Sequence, residues 1–189
     1  MLYQTDLEDN LVGAVPDAAV LNTPPFIDYV ENALGINASN YFNAGILLMN
    51  LQKMRDWGFE DKFVDLLGKY KFTVAQDQDY LNVLCSGLVK YIDVSWNVMP
   101  IPDNVCACDK PNLIHYNMLW KPWIFDNVLY EDVFWSYAKK NAFYKQIVAS
   151  KAAATDEIRA ASLAGGQKLL ALAAKESKSI TNYKNSLLK

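Results

Sequence analysis

The sequence lacks most of the patterns by which catalytic and cofactor-binding centres are recognised. It has one histidine, three cysteines and eight glycines in 189 residues. It contains neither of the glycine-rich patterns GxGxxG and GxxxxGK(S/T), no HExxH zinc motif and no GxSxG nucleophile motif. No complete active site therefore follows from motif spacing alone, and none of these four classes of site is indicated.

An excess of positive charge and a long apolar run are also missing. The net charge is −3 and the pI is about 5.1, which argues against nucleic acid as the main partner. No apolar run reaches the ~18 residues expected of a membrane-spanning helix. Hydrophobic residues still make up 52% of the chain and charged residues 21%. The composition therefore predicts a folded domain with a buried core.

The cysteines do not suggest a disulfide scaffold. Their odd number, in a chain of this length, favours a reducing cytoplasm over a secreted setting. Cys106 and Cys108 lie close together in sequence, but no second cysteine pair accompanies them. Zinc binding there is a minor alternative, and incidental thiols are the favoured interpretation.

Apolar and amphipathic segments alternate along residues 1–145. The expected strands are 11–15, 41–51, 88–94 and 112–116, and the expected helices are 23–35, 59–70, 77–87 and 126–140. Mixed strands and helices predict an α/β domain, with the helices flanking a sheet.

The segment 146–189 differs from the rest. It carries seven basic and three acidic side chains, is rich in alanine, and is interrupted by Gly165-Gly166. We expect a helical tail in two pieces on either side of this glycine pair. Two alternatives stay open for it. The helices either pack on the domain or fray, or they form a basic amphipathic segment that contacts an anionic membrane surface.

The single histidine is the first candidate ligand. His115 closes an expected strand, and ligands of α/β sheets bind beyond the carboxyl ends of the strands. Imidazole suits Mn²⁺ or Zn²⁺ beside carboxylates, and Lys121 nearby could neutralise a phosphate. A structural histidine without a ligand is the alternative.

Two further segments carry small or acidic residues. Asp77-Gln78-Asp79 has the spelling of a metal motif, but residues two apart on a helix point in nearly opposite directions, so helix capping is the favoured interpretation. The small residues Asn43-Ala44-Gly45 interrupt a bulky strand. They permit close approach of another backbone or of a ligand, although the pattern alone favours tight packing.

Four segments together resemble glycosyltransferase family 8, the retaining nucleotide-sugar transferases. They are LYQTDLEDNLVGAVPD (2–17), YFNAGILLMNLQKMR (41–55), DQDYLN (77–82) and HYNMLWKPW (115–123), and they occur in the family's order. The resemblance implies the nucleotide-binding α/β fold called GT-A, a UDP-sugar donor, Mn²⁺ or Mg²⁺, and a glycan or lipopolysaccharide acceptor.

The resemblance also implies roles for individual residues. His115 is similar to the family's metal-binding histidine, and Lys121 to its phosphate-binding lysine. The expected donor-sugar contacts are Asp17, Asn43 with its neighbours Ala44 and Gly45, Asp77 and Gln78. The last two are the expected catalytic residues.

The sequence departs from the family in two places. Met118 stands where the family usually has glycine, three residues after the histidine. The family's base-binding strands and its Asp-x-Asp motif precede the segment that begins at Leu2. We therefore expect residues 1–145 to be a partial GT-A domain, with 146–189 as its tail. On its own, the chain is expected to be nearly or wholly inactive.

A second hypothesis is a non-catalytic carbohydrate- or protein-binding module derived from such an enzyme, with oligomers formed through an exposed sheet edge. We expect a cytoplasmic protein, and peripheral contact with the inner membrane face remains an alternative for the tail.

Overall fold

The computed structural model describes residues 1–102, 104 and 108–187. Within these residues, three strands form one mixed sheet: β1 (Val12–Pro16), β2 (Phe42–Met49) and β3 (Val89–Tyr91). The order is β2-β1-β3, with β1 antiparallel to β2 and parallel to β3. The predicted α/β class is confirmed.

Along the chain, the α-helices lie between successive strands and after the last strand. The α-helices are α1 (Ala18–Leu21), α2 (Pro24–Tyr29), α3 (Leu51–Trp57), α4 (Phe59–Lys69), α5 (Asp77–Leu84), α6 (Glu131–Ala138), α7 (Tyr144–Ala152), α8 (Asp156–Glu176) and α9 (Tyr183–Ser186). A π-helical turn, Val30–Leu34, extends α2, and Gly35 ends it with a positive φ of 77°. The predicted helix 23–35 is therefore present as two consecutive helical forms.

Strand β1, in the centre of the sheet, ends next to the candidate residue Asp17. Its residues are apolar and almost fully buried, as a central strand between two others requires. Pro16 ends it, because proline lacks the N–H that a strand interior uses. Asp17 follows directly and caps α1, where its Oδ1 accepts from the backbone N–H groups of Ala19 (2.8 Å) and Val20 (3.2 Å).

Two apolar clusters hold these elements together. One joins β1 and β2 to α3 and α5 through buried Leu11, Val12, Phe42, Met54 and Cys85. The other lies around α2 and its π-helical extension, and it includes Tyr29, Tyr41, Phe72 and Tyr80. It also includes Ala173 of α8, so the tail takes part in the core.

The expected strand 112–116 is not a strand. Ile114 makes only an isolated parallel bridge with Val98. The partner segment explains this, because Val94–Asn97 is a 3-10 helix and cannot extend a ladder. His115 still bonds through its backbone N–H to the Val98 carbonyl at 2.8 Å, so its position is fixed without a sheet.

The expected helix 126–140 begins five residues late, at Glu131. Asn127 and Tyr130 both have positive φ values, 57° and 63°, which a right-handed helix cannot contain. Residues 126–130 therefore form a loop. The interpretation of the whole segment as one helix was wrong.

The glycine pair does not break the tail. Helix α8 runs unbroken through Gly165-Gly166, because a glycine costs a helix interior only about 1 kcal/mol and tertiary packing can outweigh that. Gly166 lies against the loop at Leu119, where an added methyl group would come within 3.2 Å of the leucine side chain. The absence of a side chain at Gly166 lets the helix approach this loop.

The tail packs on the domain. Ala173 is fully buried, and Asn182 donates to the Asn32 carbonyl at 3.1 Å. Two of the basic tail residues are also engaged, since Lys151 and Arg159 both pair with Asp126. The structure therefore favours the packed alternative, and membrane contact stays a prediction.

The two cysteines that the structure describes have different surroundings. Cys85 is fully buried, and burial raises the pKa of its thiol to about 12, which makes it unreactive. Cys108 is a free thiol, whereas Cys106 of the expected pair lies outside the described residues.

No helix in the described part of the chain has both the length and the apolar character needed to cross a bilayer.

Candidate active site

A network of buried amides and one carboxylate lies where β1 ends. Asp17 is 3% exposed, and its Oδ2 accepts from Asn43 Nδ2 (2.9 Å) and from Gln78 Nε2 (2.8 Å). Its Oδ1 is occupied by the α1 cap. All four lone-pair positions of this carboxylate are therefore used.

The backbone of β2 orients the two amides. The N–H of Ala44 donates to Gln78 Oε1 at 2.9 Å, and the N–H of Gly45 donates to Asn43 Oδ1 at 3.0 Å. Because a backbone N–H can only donate, these bonds fix which end of each amide is oxygen. The amide nitrogens of Asn43 and Gln78 are then directed at Asp17.

His115 joins this network through a residue that the sequence did not single out. Asn97, 4% exposed, donates through Nδ2 to Asn43 Oδ1 at 3.1 Å. Its Oδ1 lies 3.0 Å from His115 Nδ1. His115 Nε2 has no hydrogen-bond partner among the described residues and is not enclosed, so solvent reaches it. No sequence pattern singled out Asn97, because the neighbouring Asp93 and Ser95 are also polar.

Gly45 lies directly against the imidazole ring. A methyl group built on Gly45 would be 2.3 Å from His115 Cε1 and 3.0 Å from Nε2. The small residues in β2 thus pack tightly against a side chain of this chain, which is the alternative that the sequence pattern alone favoured. Burial lowers the pKa of His115, while the charge of Asp17 opposes that shift. The ring is therefore mainly neutral at pH 7.

The two carboxylates of the DQD segment have different surroundings. Asp77 is exposed in the first turn of α5, and its side chain makes no hydrogen bond within the described chain. Asp79 is fully buried and accepts from Tyr29 and Tyr41, both at 2.8 Å, and from the N–H of Ala75 at 2.9 Å.

Burial therefore raises the pKa of Asp79, and burial together with the nearby Asp79 carboxylate raises the pKa values of Tyr29 and Tyr41. Capping by Asp77 or Asp79 was expected. The cap position is instead Gln76, which has a strained positive φ of 48° and makes no side-chain cap bond.

The loop after His115 carries the remaining candidate. Lys121 is half-buried and forms no ion pair with the described residues. Met118, at the position where glycine was expected, has a φ of 47°. The backbone thus adopts the left-handed conformation that suits glycine, although the residue is methionine.

A cavity of about 210 Å³ opens beside the network. Asp17 and Gln78 line its polar side. Its apolar side is formed by Phe26, Tyr29, Met118 and, from the tail, Leu169. The tail therefore closes one wall of the candidate site, a contribution that the sequence did not reveal.

The structure thus joins Asp17, Asn43, Ala44, Gly45, Gln78 and His115 by direct contacts. Asp77 and Lys121 lie outside the hydrogen-bond network. No cluster of three or more His, Cys, Asp or Glu side chains capable of holding a metal occurs among residues 1–102, 104 and 108–187. His115 Nε2 fits a divalent transition metal as one nitrogen ligand, and among the described residues it is not part of a three-ligand cluster.

The sequence is similar to a family described as "Glycosyl transferase family 8", whose model matches residues 1–127. A Haemophilus influenzae protein named as a glycosyltransferase is 34% identical over 122 residues, which are 62% of this chain and 34% of that protein. The glycosyltransferase GlyB of Streptococcus pneumoniae is 32% identical over 124 residues, 57% of this chain and 30% of GlyB. The chain thus spans about a third of the length of these curated relatives.

Solved structures show the same fold. The bifunctional glycosyltransferase WbbM, 23% identical, superposes with a TM-score of 0.68 over 79% of this chain and 31% of its own. An active-site mutant of LgtC, 28% identical, superposes with a TM-score of 0.59 over 74% of this chain and 55% of LgtC. The structure of LgtC with donor and acceptor sugar analogues, 26% identical, superposes with a TM-score of 0.55 over 84% of this chain and 58% of LgtC.

These structures are GT-A glycosyltransferases, and the mixed sheet with flanking helices described above is part of that fold. With two thirds of its residues matched by the family model, the chain belongs to glycosyltransferase family 8.

Proposed function

We propose that this chain carries the donor-sugar and metal-histidine side of the active site of a UDP-sugar-dependent hexosyltransferase that retains configuration. The observation that supports it best is the link, through Asn97, between His115 and the Asp17–Asn43–Gln78 network. One polar surface thus combines an open imidazole nitrogen, amides and a carboxylate.

The amides and carboxylates would read the hydroxyl groups of the sugar. Gln78 Nε2 gives one hydrogen to Asp17, and its second hydrogen is available toward the cavity. Asp77, exposed at the start of the same helix, can accept from a hydroxyl. Asp17 can accept a hydrogen bond from a sugar hydroxyl only if it releases one of its present partners. Its first role is therefore to hold the side chains of Asn43 and Gln78.

The diphosphate would lie toward His115 and Lys121. A divalent ion bound there supplies positive charge that stabilises the departing UDP. Within this chain, His115 offers a nitrogen ligand, and Lys121 is free of ion pairs with the described residues and can approach a phosphate oxygen. Asp17, bonded to Gln78, and the adjacent Asp77 are the carboxylates that would stabilise the positive charge developing on the departing sugar. A glycan or lipopolysaccharide acceptor would enter through the cavity.

One metal ligand does not make a tight site. We therefore propose that this chain alone binds a UDP-sugar with Mn²⁺ only weakly and transfers the sugar slowly or not at all. An assay with isotope-labelled UDP-glucose and UDP-galactose tests the second part of this proposal, slow or absent sugar transfer. Turnover at an ordinary enzymatic rate, about 1 s⁻¹ or more, would contradict it.

Binding measurements test the first part of the proposal, weak binding of a UDP-sugar with Mn²⁺. The five tryptophans report UDP-sugar titrations with Mn²⁺, with Mg²⁺ and with EDTA. We expect binding that needs the metal and is weakened in His115→Ala and in Lys121→Ala, with the exposed Lys110→Ala as the matched control. Equal binding in EDTA and in His115→Ala would refute the proposal. Binding of glycans without any effect of UDP-sugar would support the sugar-binding module instead.

A further inference from the structure

A chain of hydrogen bonds links the backbone of β2 to the imidazole ring of His115. It runs from the N–H of Gly45 to Asn43 Oδ1 (3.0 Å), then to Asn97 Nδ2 (3.1 Å), and from Asn97 Oδ1 to His115 Nδ1 (3.0 Å). The two asparagines are 2% and 4% exposed, so water does not compete with these bonds.

In this series of hydrogen bonds, the orientation of each side chain follows from that of the one before. The Gly45 N–H can only donate, so the atom of Asn43 that faces it is oxygen. That oxygen also faces Asn97, which must therefore present its nitrogen to it. The remaining end of the Asn97 amide is oxygen, and it faces His115 Nδ1.

An amide oxygen can only accept, so Nδ1 of the neutral ring must carry the proton. The other ring nitrogen, Nε2, then has a lone pair. This tautomer is the reverse of the one that a neutral histidine side chain prefers in water. A hydrogen bond made by one ring nitrogen sets the state of the other.

We propose that Asn97 is a positioning residue, which holds His115 in the Nδ1–H tautomer with its Nε2 lone pair open as a ligand for a divalent cation. The inference rests on the proposed function for the use made of Nε2. The tautomer itself depends only on the geometry described here.

The backbone reinforces the side chain. Val98 follows Asn97 directly, and its carbonyl accepts from the His115 N–H at 2.8 Å. The same short segment thus fixes both the main chain and the ring. Gly45 borders the other side of the ring, so the imidazole has little room to flip.

The single histidine makes the test direct. Histidine labelled with ¹⁵N gives one imidazole in the whole chain, and two-bond ¹H–¹⁵N spectra at about pH 8, where imidazole is neutral, report which nitrogen carries the proton. We expect protonated Nδ1 and unprotonated Nε2 in the unsubstituted protein. A protonated Nε2 would overturn the proposal, and this result needs no variant.

Variants then assign the effect to Asn97. Asn97→Leu should move the ring toward the Nε2–H tautomer and weaken binding of Mn²⁺ with UDP by about 10- to 100-fold, the usual range for residues that orient a metal-binding histidine. Asn97→Asp, which keeps an oxygen opposite Nδ1, should keep the tautomer. Asn182→Leu, another buried asparagine in the tail, is the matched control and should change neither.

An unchanged tautomer in a folded Asn97→Leu variant would overturn the proposal. The two proposals can fail separately. If the Nδ1–H tautomer is found and depends on Asn97, but neither Mn²⁺ nor UDP-sugar affects the ring, then the positioning by Asn97 stands and the proposed function fails.

Discussion

Gly45 and His115 are in such close contact that no other residue type fits at position 45 without moving the ring. The ideal Cβ position at Gly45 is 2.3 Å from Cε1 of the imidazole. A strand residue and a loop residue 70 positions apart in the printed sequence are thus matched in size. The missing side chain in β2 allows the only histidine to lie beside Asn43.

Gly45→Ala should displace His115 while keeping the fold. The added methyl group and the ring cannot both keep their positions at 2.3 Å, and we expect the ring, at the end of a side chain, to move. We expect overpacking to cost about 1–3 kcal/mol of unfolding free energy and metal-dependent UDP-sugar binding to be lost. Denaturant titration and tryptophan fluorescence measure the two effects.

The matched control for this substitution is Gly68→Ala, in α4, where an added methyl group meets nothing within 4 Å. It should stabilise the helix by about 1 kcal/mol and leave binding unchanged. If Gly45→Ala behaved like Gly68→Ala, the contact with His115 would be refuted.

Gln78→Glu should destabilise the network at neutral pH. Gln78 Nε2 donates to Asp17, and a glutamate has no hydrogen to give unless it is protonated. Two carboxylate oxygens would then face each other at a buried position. We expect a loss of about 1–3 kcal/mol, measured by urea unfolding at pH 7.

The exposed Gln52→Glu, in α3, is the control for Gln78→Glu and should have little effect. Lowering the pH should restore part of the stability of Gln78→Glu, because a protonated glutamate can donate to Asp17. Equal stability of the two variants at pH 7 would show that Gln78 does not hold Asp17 in solution.

Asp79 should make the protein less stable as the pH rises. Burial raises its pKa in the folded state, so the folded chain keeps a proton that the unfolded chain has already released. The unfolding free energy therefore falls from the ordinary carboxyl pKa, about 4, up to the raised value. Asp79→Asn should remove this decline.

Urea unfolding at several pH values measures the difference between the two proteins, which should favour Asp79→Asn increasingly across this window. Asp28→Asn, on the exposed side of α2, should run parallel to the unsubstituted protein. A difference that is constant with pH, or that moves the other way, would mean that the folded state does not favour the protonated Asp79.

Ala173→Leu should destabilise the protein if the tail is part of the core. Ala173 is fully buried against the α2 cluster, and three extra carbon atoms cannot be accommodated there. We expect a loss of about 1–3 kcal/mol in thermal or urea unfolding. Ala171→Leu, two residues earlier on the exposed face of α8, should be nearly neutral. Equal, small effects would indicate a tail that does not pack on the domain.

The sequence predicted the central elements of the fold because their patterns are local. Strands β1 and β2 and helices α4 and α5 lie close to the expected positions, since apolar runs and helical spacing identify them without tertiary information. The errors come from long-range effects. The expected strand at 112–116 failed because its partner is a 3-10 helix, and the expected break at Gly165-Gly166 failed because packing outweighed propensity.

The candidate site was predictable only in part. His115 was a candidate from its position at the end of an expected strand, the resemblance to the family added Gln78, and the structure shows the contacts that join them. Asn97 and Leu169 could not be found, because a buried asparagine or a leucine on a helix has no distinctive sequence pattern. Their importance follows from what they contact. The roles of Asp77 and Lys121, which make no contact with the network, stay predictions.

The effect of Mn²⁺ on the imidazole resonances of His115 tests the central claim most directly. Paramagnetic broadening detects even weak binding close to the ring, and the chain has no other histidine to confuse the signal. We predict that Mn²⁺ together with a UDP-sugar broadens these resonances at concentrations where Mn²⁺ alone has much less effect, and that Mg²⁺ does not broaden them. Sharp, unshifted resonances under conditions where tryptophan fluorescence shows the UDP-sugar bound would contradict the account.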